Sequence, residues 1–331
     1  MTAAGGRRLL VLGWHSVEGT WRVPSAPGTG LRALERQLRA IARRGTIVPL
    51  LPALRALKEA RPLPPRPVAL TFDDGYRDNL TLAAPLLARL GLPATIFLVP
   101  GFLSREVVHW CEHLAWAFTR ARARAADFEG GLLELGSTSA RAKAVRLVED
   151  RLLRCDRVRR EACLSDLVER LDPAGGFDPD PLFLDWDGAR TLARAGAQTG
   201  MTIGSHSLRH DVLSREPAEA QRVDLLESRH RLEHELEMPI DVFAYPFGKR
   251  EHYDAVTVDA AKAAGYAYSL STRAVWNTPA TPAHEIRRRM LSPQQGVRGL
   301  AVVMARGLAS AARDRLTEGH ETTTPSSERV P

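Results

Sequence analysis

Four short apolar runs in this 331-residue sequence each end in polar or turn-forming residues. The residues that follow these runs are Trp14-His15, Asp73-Asp74-Gly75, His206, and Tyr245-Pro246-Phe247-Gly248. Short apolar runs that alternate with helical periodicity predict an α/β protein with parallel strands. In a parallel barrel the carboxyl ends of the strands share one face, and active sites are built on that face. We therefore expect these residues to meet in space although they lie far apart in the chain.

The rest of the sequence extends this alternation over most of the chain. A hydrophobic share of 44% supplies a core large enough for one α/β barrel or for two ordinary domains. The predicted strands cover residues 9–12, 68–71, 94–99, 202–205, 242–245 and 266–271, with a last one near residues 284–291.

Residues 104–181 interrupt the alternation because they show helical periodicity and no convincing strand. We predict a helical insertion that packs beside the barrel. Residues 1–316, with this insertion, are predicted to form one barrel domain whose last part, residues 297–316, is an amphipathic helix. The polar, Thr- and Ser-rich residues 317–331 are predicted to be a disordered tail.

The net charge of +7 comes almost entirely from arginine, since the chain has only four lysines. No recognised nucleic-acid motif accompanies the basic residues, so a bias in coding composition is favoured over nucleic-acid binding. The apolar run after Arg7-Arg8 is too short for a signal peptide, and no run reaches the roughly 18 apolar residues that suggest a membrane span. These features predict a cytoplasmic protein, with peripheral contact at the inner face of the membrane through residues 297–316 as the alternative.

Two pairs of residues at predicted strand ends suggest a metal site. The adjacent carboxylates of Asp73 and Asp74 repel each other unless a cation or a proton compensates, although an Asp-Asp-Gly surface turn would explain this pair if it stood alone. His206 and His210 stand at i and i+4 directly after another strand, a spacing that can chelate a metal. One carboxylate and two imidazoles suit Zn²⁺, and also Co²⁺ or Fe²⁺, and leave a position for water. The other aspartate is then available as a general base.

Three motifs are similar to the signature motifs of the polysaccharide deacetylase family, which includes chitin and peptidoglycan deacetylases. The motifs are Thr71-Phe72-Asp73-Asp74-Gly75-Tyr76, His206-Ser207-x-x-His210 and Phe243-Ala244-Tyr245-Pro246-Phe247-Gly248. The resemblance spans residues 9–291 apart from the insertion, and Trp14-His15 resembles the Tyr-His of a bacterial branch linked to exopolysaccharide synthesis. It implies a distorted parallel barrel of seven or eight strands that hydrolyses N-acetyl groups on amino sugars.

The resemblance also implies roles for individual residues. Asp73 is expected to be the general base, and Asp74, His206 and His210 are expected to bind the divalent metal, Zn²⁺ before Co²⁺ or Fe²⁺. The backbone N–H of Phe247 is expected to stabilise the oxyanion that forms during hydrolysis. The residues expected to contact substrate are Tyr245, Pro246 and His15.

The sequence departs from the family in two places. Ala244 stands where many members have an arginine that orients the catalytic aspartate. Arg288 shares strand parity with Ile286 and His284, so we expect it to replace that arginine from the last strand. The family's general-acid histidine has no clear counterpart; His284 is the first candidate and His15 the second, with a purely structural histidine as the alternative for each.

Three hypotheses about function follow. The first is a deacetylase that acts on an N-acetylated amino sugar in a glycan, a glycolipid or a sugar-carrier intermediate. The second is a related amidohydrolase, such as a deformylase or a cyclic amide hydrolase, on the same barrel. The third is a catalytically silent glycan-binding subunit, which is disfavoured because the base and all three metal ligands are present. The sequence predicts no nucleic-acid partner and does not determine the oligomeric state.

Overall fold

The computed structural model describes residues 8–24, 29–273 and 276–291. In chain order the strands are β1 (Leu10–Trp14), β2 (Thr46–Ile47), β3 (Pro67–Phe72), β4 (Thr95–Leu98), β5 (Ala125–Phe128), β6 (Gly131–Glu134), β7 (Thr202–Ser205), β8 (Val242–Ala244), β9 (Tyr268–Ser271), β10 (Ile286–Arg287) and β11 (Arg289–Met290). The helices are α1 (Leu31–Ala42), α2 (Leu50–Lys58), α3 (Ala84–Leu90), α4 (Pro100–Leu103), α5 (Trp110–Arg120), α6 (Thr138–Leu152), α7 (Arg157–Leu171), α8 (Trp186–Thr199), α9 (Ala218–Leu236) and α10 (Ala255–Ala263).

All pairs of neighbouring strands in the main sheet are parallel. The order is β10-β9-β8-β7-β4-β3-β1-β11, and the short β2 also pairs with β3. β10 and β11 belong to one chain segment, in which Ile286 pairs with Leu270 of β9 and Met290 pairs with Gly13 of β1. This last segment therefore closes the sheet, and the predicted distorted (β/α) barrel is confirmed.

Alternate residues of the strands fill the barrel interior, as the period of two along a strand requires. One buried cluster joins strand residues to the apolar face of α2. Its members in the strands are Val11, Ala69, Phe97, Val242, Ala244, Tyr268, Leu270 and Ile286, and Leu9 directly before β1 joins them. Among the described residues no helix has the length and apolar character needed to cross a membrane.

The insertion contains α5, α6 and α7, which share a second buried cluster that includes Leu114, Val148 and Leu167. The predicted helices of the insertion are present, but the expectation that it contains no strand is wrong, because β5 and β6 form an antiparallel hairpin between α5 and α6. Glu129 and Gly130 connect the two strands with φ angles of 51° and 79°, the left-handed conformations of a two-residue hairpin turn. Each strand has only four residues, so the alternation was too short to stand out from the helical pattern.

The strand β2 was not predicted, since two residues carry no detectable period.

Two further predictions cannot be compared with the described part of the chain. The predicted amphipathic helix over residues 297–316 and the predicted tail over residues 317–331 lie outside the described residues.

Asn277 links the beginning of the first strand to the closing segment of the barrel. Its fully buried amide donates to the carbonyls of Leu9 (3.2 Å) and Arg287 (2.8 Å), and its Oδ1 accepts from the Arg287 N–H at 2.8 Å. Asn277→Ala removes both side-chain bonds to the Arg287 backbone, while Leu9 O keeps the bond from the Asn277 backbone N–H, so we expect the free energy of unfolding to fall by about 1–3 kcal/mol. Urea denaturation measures this change.

Ser139→Ala is the control, because this hydroxyl is exposed on α6. We expect it to change the free energy of unfolding by less than about 0.5 kcal/mol. A wild-type denaturation midpoint for Asn277→Ala would show that the closing segment does not depend on this side chain.

Candidate active site

Four polar side chains meet at the carboxyl ends of two barrel strands. Asp73 and Asp74 follow β3, while His206 follows β7 and His210 lies four residues further on. All four are nearly inaccessible to solvent, with exposures between 1% and 4%. Donor atoms of Asp74, His206 and His210 lie within 4.8 Å of one another. The predicted convergence of these motifs is therefore present in the structure.

The backbone turns sharply where the two aspartates enter the site. The Asp73 N–H donates to Trp14 O at 2.9 Å and so continues the ladder between β3 and β1. The turn begins at Asp74, with φ 72°, and continues at Gly75, with φ 70°. Because successive strand residues point to opposite faces, this reversal lets both carboxylates face the same cavity. A left-handed non-glycine residue costs about 1–3 kcal/mol and is typical of functional sites; Ser207, His210 and Phe247 are also left-handed.

The arrangement of Asp74 and the two histidines fits a bound cation. The Oδ1 atom of Asp74 lies 3.3 Å from His206 Nε2 and 3.2 Å from His210 Nε2, and it has no hydrogen-bond partner among the described residues. His206 Nδ1 lies 2.7 Å from the Ala244 carbonyl, which can only accept, so in the neutral ring the lone pair is on Nε2. Two lone pairs thus face each other across a buried space, and a divalent metal between them would satisfy both.

The protonation states of these groups also suit a metal. Burial acts to raise the pKa of Asp74, but the neighbouring His210, His109 and His206 outweigh it and hold the pKa well below its usual range. Burial lowers the pKa of His210 to about 3, although Asp74 acts in the opposite direction. An ionised carboxylate beside a neutral imidazole is the state in which both bind a metal.

Asp73 is held by an arginine from the closing segment of the barrel. Arg288 Nη1 donates to Asp73 Oδ1 at 2.6 Å, and Nη2 donates to Oδ2 at 2.7 Å. The guanidinium is fully buried and lies over the ring of Phe97, with 5.2 Å from Cζ to the ring centroid. This bidentate geometry is the one in which an arginine fixes a carboxylate most firmly. The contact predicted from strand parity and from the alanine at position 244 is present.

The structure places the two candidate acid histidines differently. His284 lies in a 3-10 turn, Ala283–Glu285, and not in the extended segment from Ile286 to Met290 that contains Arg288, so the parity argument does not apply to it. Its Nδ1 lies 2.9 Å from Ser269 Oγ, and its charged neighbours are Lys262 and Asp259 of α10. The expectation that His284 faces the site is therefore corrected, because Pro282 and the helical turn direct it towards the outer helices.

His15 does lie at the site, directly after β1. Burial lowers the pKa of its imidazole, against the opposing charges of Asp74 and Asp73. The side chain is half-buried, and its carbonyl accepts from Asn79 Nδ2 at 2.9 Å. A neutral imidazole in the field of both carboxylates can accept and donate a proton there.

The segment after β8 contributes less to the site than the sequence suggested. The expected substrate contact of Tyr245 is corrected: its side chain is fully buried, stacks on Tyr253 at 4.2 Å and donates to His284 O at 3.0 Å. Tyr245 points outwards because it alternates with the inward-facing Ala244. Pro246 is buried beside it, and the ring of Phe247 lies 4.8 Å from the ring of His210.

The helical insertion supplies parts of the site that the sequence analysis did not identify. The fully buried His109 has its Nε2 atom 3.7 Å from Asp74 Oδ2. Tyr76, two residues after Asp74, donates its hydroxyl to the buried Glu112 at 2.8 Å. Arg160 of α7 donates to Asp211, the residue after His210. His109, Glu112 and Arg160 belong to none of the sequence motifs, so no pattern in the sequence pointed to them.

Comparison with known proteins identifies the family. The model for the polysaccharide deacetylase family matches residues 60–144 and 168–269, together more than half of the chain. No protein with a curated description matches this chain in sequence. The chain belongs to the polysaccharide deacetylase family and is a hydrolase that acts on amides.

Solved structures share this fold at low sequence identity. The Streptococcus pyogenes deacetylase PplD has a TM-score of 0.58 at 16% identity, covering 90% of this chain and 98% of that one. IcaB from Ammonifex degensii has a TM-score of 0.57 at 18% identity, with coverages of 90% and 97%. The BpsB deacetylase domain from Bordetella bronchiseptica has a TM-score of 0.55 at 18% identity, with coverages of 87% and 98%.

Purified protein is expected to bind about one divalent ion per chain, because three protein ligands with an open position form a typical catalytic site. A double substitution, His206→Ala with His210→Ala, removes two of the three ligands and should abolish stoichiometric binding. Elemental analysis measures the metal content. The matched control is His230→Ala with His234→Ala, an i, i+4 pair that is exposed on α9 and should leave the content unchanged. Full occupancy in the first double variant would disprove the ligand assignment.

Proposed function

We propose that this protein is a metal-dependent hydrolase that removes N-acetyl groups from an amino sugar in a glycan, a glycolipid or a sugar-carrier intermediate. The observation that carries the proposal is the buried cluster of Asp73, Asp74, His206 and His210 at the barrel mouth, within a chain of the polysaccharide deacetylase family. The related structures add support, since PplD is described in complex with acetate and another neighbour, from Aggregatibacter actinomycetemcomitans, as a de-N-acetylase. Acetate is the product that such a reaction releases.

Each residue of the cluster has a distinct task in the proposed reaction. Asp74, His206 and His210 would hold the divalent cation, with Zn²⁺ as the first candidate and Co²⁺ or Fe²⁺ as alternatives. When bound, that cation would polarise the acetyl carbonyl and lower the pKa of a water molecule. Asp73 is the base that takes a proton from the attacking water, and Arg288 fixes the direction of its carboxylate.

Two more groups complete the proposed reaction. The backbone N–H of Phe247 is assigned to the oxyanion that develops as water adds to the acetyl carbon. When the C–N bond breaks, the leaving amine needs a proton, and the proton taken by Asp73 balances this requirement. We propose that His15 carries this proton from Asp73 to the leaving amine, since its imidazole is neutral and lies in the field of Asp73 and Asp74.

The other hypotheses are not favoured. A deformylase or cyclic amide hydrolase has no support in the family match, which is to a polysaccharide deacetylase. A catalytically silent subunit would not need the base and the three candidate ligands in one buried cluster. The cytoplasmic location stays a prediction, as does the peripheral membrane contact of residues 297–316, which lie outside the described part of the chain.

Acetate release from a panel of acetylated amino sugars, oligosaccharides and lipid-linked sugars tests the proposal. We expect release from at least one class by the wild-type protein. Asp73→Asn keeps the shape of the side chain but removes the base, so we expect a rate that is about 10²–10⁴-fold lower at unchanged metal content. Equal turnover by Asp73→Asn and wild type would show that the base is elsewhere.

Substitution of Arg288 tests how Asp73 is held. Arg288→Lys keeps the positive charge but loses the planar fork, so we expect kcat to fall while the metal content stays unchanged. Arg288→Ala leaves a buried carboxylate without its partner, which we expect to lower the free energy of unfolding by about 3–5 kcal/mol as well. Steady-state kinetics and urea denaturation measure the two effects.

Arg287→Ala and Arg289→Ala are matched controls, because both neighbours are half-buried and, among the described residues, neither side chain forms a hydrogen bond or an ion pair with Asp73. We expect both to keep kcat close to the wild-type value. If Arg287→Ala, Arg288→Ala and Arg289→Ala all lower kcat equally and only slightly, the pair between Arg288 and Asp73 does not contribute to catalysis.

A further inference from the structure

His109 lies at the junction between the insertion and the metal cluster. It immediately precedes α5, and its side chain is fully buried. Its ring packs against the ring of Phe183 at 5.4 Å and the ring of His210 at 5.2 Å. Neither the sequence motifs nor the proposed reaction uses this residue. A buried imidazole that stacks on a candidate metal ligand needs a physical explanation.

The hydrogen bond at the start of α5 determines which ring nitrogen carries the proton. His109 Nδ1 accepts from the backbone N–H of Glu112 at 3.3 Å, in the position of a helix N-cap. An acceptor nitrogen has its lone pair on that atom, so in the neutral ring the proton is on Nε2. The Nε2–H is buried and has no hydrogen-bond partner within the limits of a normal bond among the described residues.

The unpartnered N–H faces the second carboxylate oxygen of Asp74. Asp74 Oδ2 lies 3.7 Å from His109 Nε2, whereas Asp74 Oδ1 lies 3.3 Å from His206 Nε2 and 3.2 Å from His210 Nε2. One oxygen of the carboxylate therefore faces the two candidate metal ligands, and the other faces His109. A small movement of Asp74 brings Oδ2 within hydrogen-bond distance of the N–H.

The same geometry excludes His109 as a fourth ligand to the metal. Its lone pair is used at Nδ1 by the helix cap, and Nε2 carries a proton that a metal ligand must lack. A role confined to the helix cap would leave a buried N–H donor without a partner beside a buried carboxylate. A donor that fixes the orientation of a metal-binding carboxylate satisfies both groups.

We propose that His109 is a positioning residue that donates from Nε2 to Asp74 Oδ2 and so directs Oδ1 towards the metal. The inference rests on the metal site of the proposed function. It makes the insertion a part of that site, because α5 brings both His109 and Glu112, the latter bonded to Tyr76 just beyond Asp74. Loss of such an outer hydrogen bond typically lowers metal affinity by about 10–100-fold.

Two substitutions separate the helix cap from the donor. In His109→Asn the amide oxygen replaces Nδ1 and keeps the cap, but no donor reaches Asp74. In His109→Gln the longer amide places its NH₂ near the position of Nε2 and keeps the donor, but the cap is lost. His109→Phe keeps a ring of similar shape and loses both functions.

The experiment measures the affinity of the metal-free, full-length protein for Zn²⁺ by competition with a chromophoric chelator, together with the absorption spectrum of bound Co²⁺. We expect His109→Asn to bind Zn²⁺ about 10–100-fold more weakly than wild type, with a changed Co²⁺ spectrum and a nearly unchanged Tm. We expect His109→Gln to bind Zn²⁺ almost as tightly as wild type and to have a lower Tm. If His109→Asn does not fold, the Zn²⁺ affinities of His109→Gln and His109→Phe are compared, since both variants lack the helix cap and only His109→Gln keeps the donor.

Wild-type affinity and an unchanged Co²⁺ spectrum in His109→Asn would overturn the inference, as would equal weakening in the Gln and Phe variants. Neither outcome depends on catalysis. If the wild-type protein binds Zn²⁺ with the expected variant pattern but releases no acetate from any sugar, the proposed function fails and the role of His109 stands. If acetate is released and the variants bind like wild type, the role of His109 fails and the function stands.

Discussion

The buried ion pair between Arg288 and Asp73 connects the closure of the barrel to its chemistry. Removing both charges from water is expensive, and the pair is tolerated only because two short hydrogen bonds and the ring of Phe97 surround it. Arg288 lies between β10, which pairs with β9, and β11, which pairs with β1. The segment that closes the sheet thus carries the group that orients the proposed base. A barrel that opened at this seam would lose the geometry of Asp73 together with its own last strand.

The insertion and the barrel form one site through polar contacts, although each has its own apolar cluster. α5 brings Glu112 to the hydroxyl of Tyr76 and His109 to the carboxylate of Asp74. On the other side, Arg160 reaches Asp211 beside His210. Asp74 and His210 have strained left-handed backbone conformations. Contacts of this kind hold them there, because a short segment without such contacts would adopt a less strained conformation.

The fold and most of the cluster could be predicted, whereas several side-chain directions could not. The parallel strands were predictable because each is a buried apolar run, and the parity of Arg288 followed from the period of two along the last strand. His284 was misplaced because a helical turn at residues 283–285 interrupts that period. Tyr245 was misplaced because its motif gives no information about the direction of a side chain directly after β8. The hairpin of β5 and β6 was missed because four residues are too few to show alternation.

The sequence by itself determined which predicted strands are followed by the site residues Asp73, Asp74, His206 and His210. It also determined which family the motifs represent. Local patterns suffice for this because burial and strand period are properties of short segments. Only the tertiary structure decided between the two candidate acid histidines, His15 and His284, and showed that His109 faces Asp74. These are contacts between segments far apart in sequence, and the closure of the barrel and the packing of the insertion bring them together.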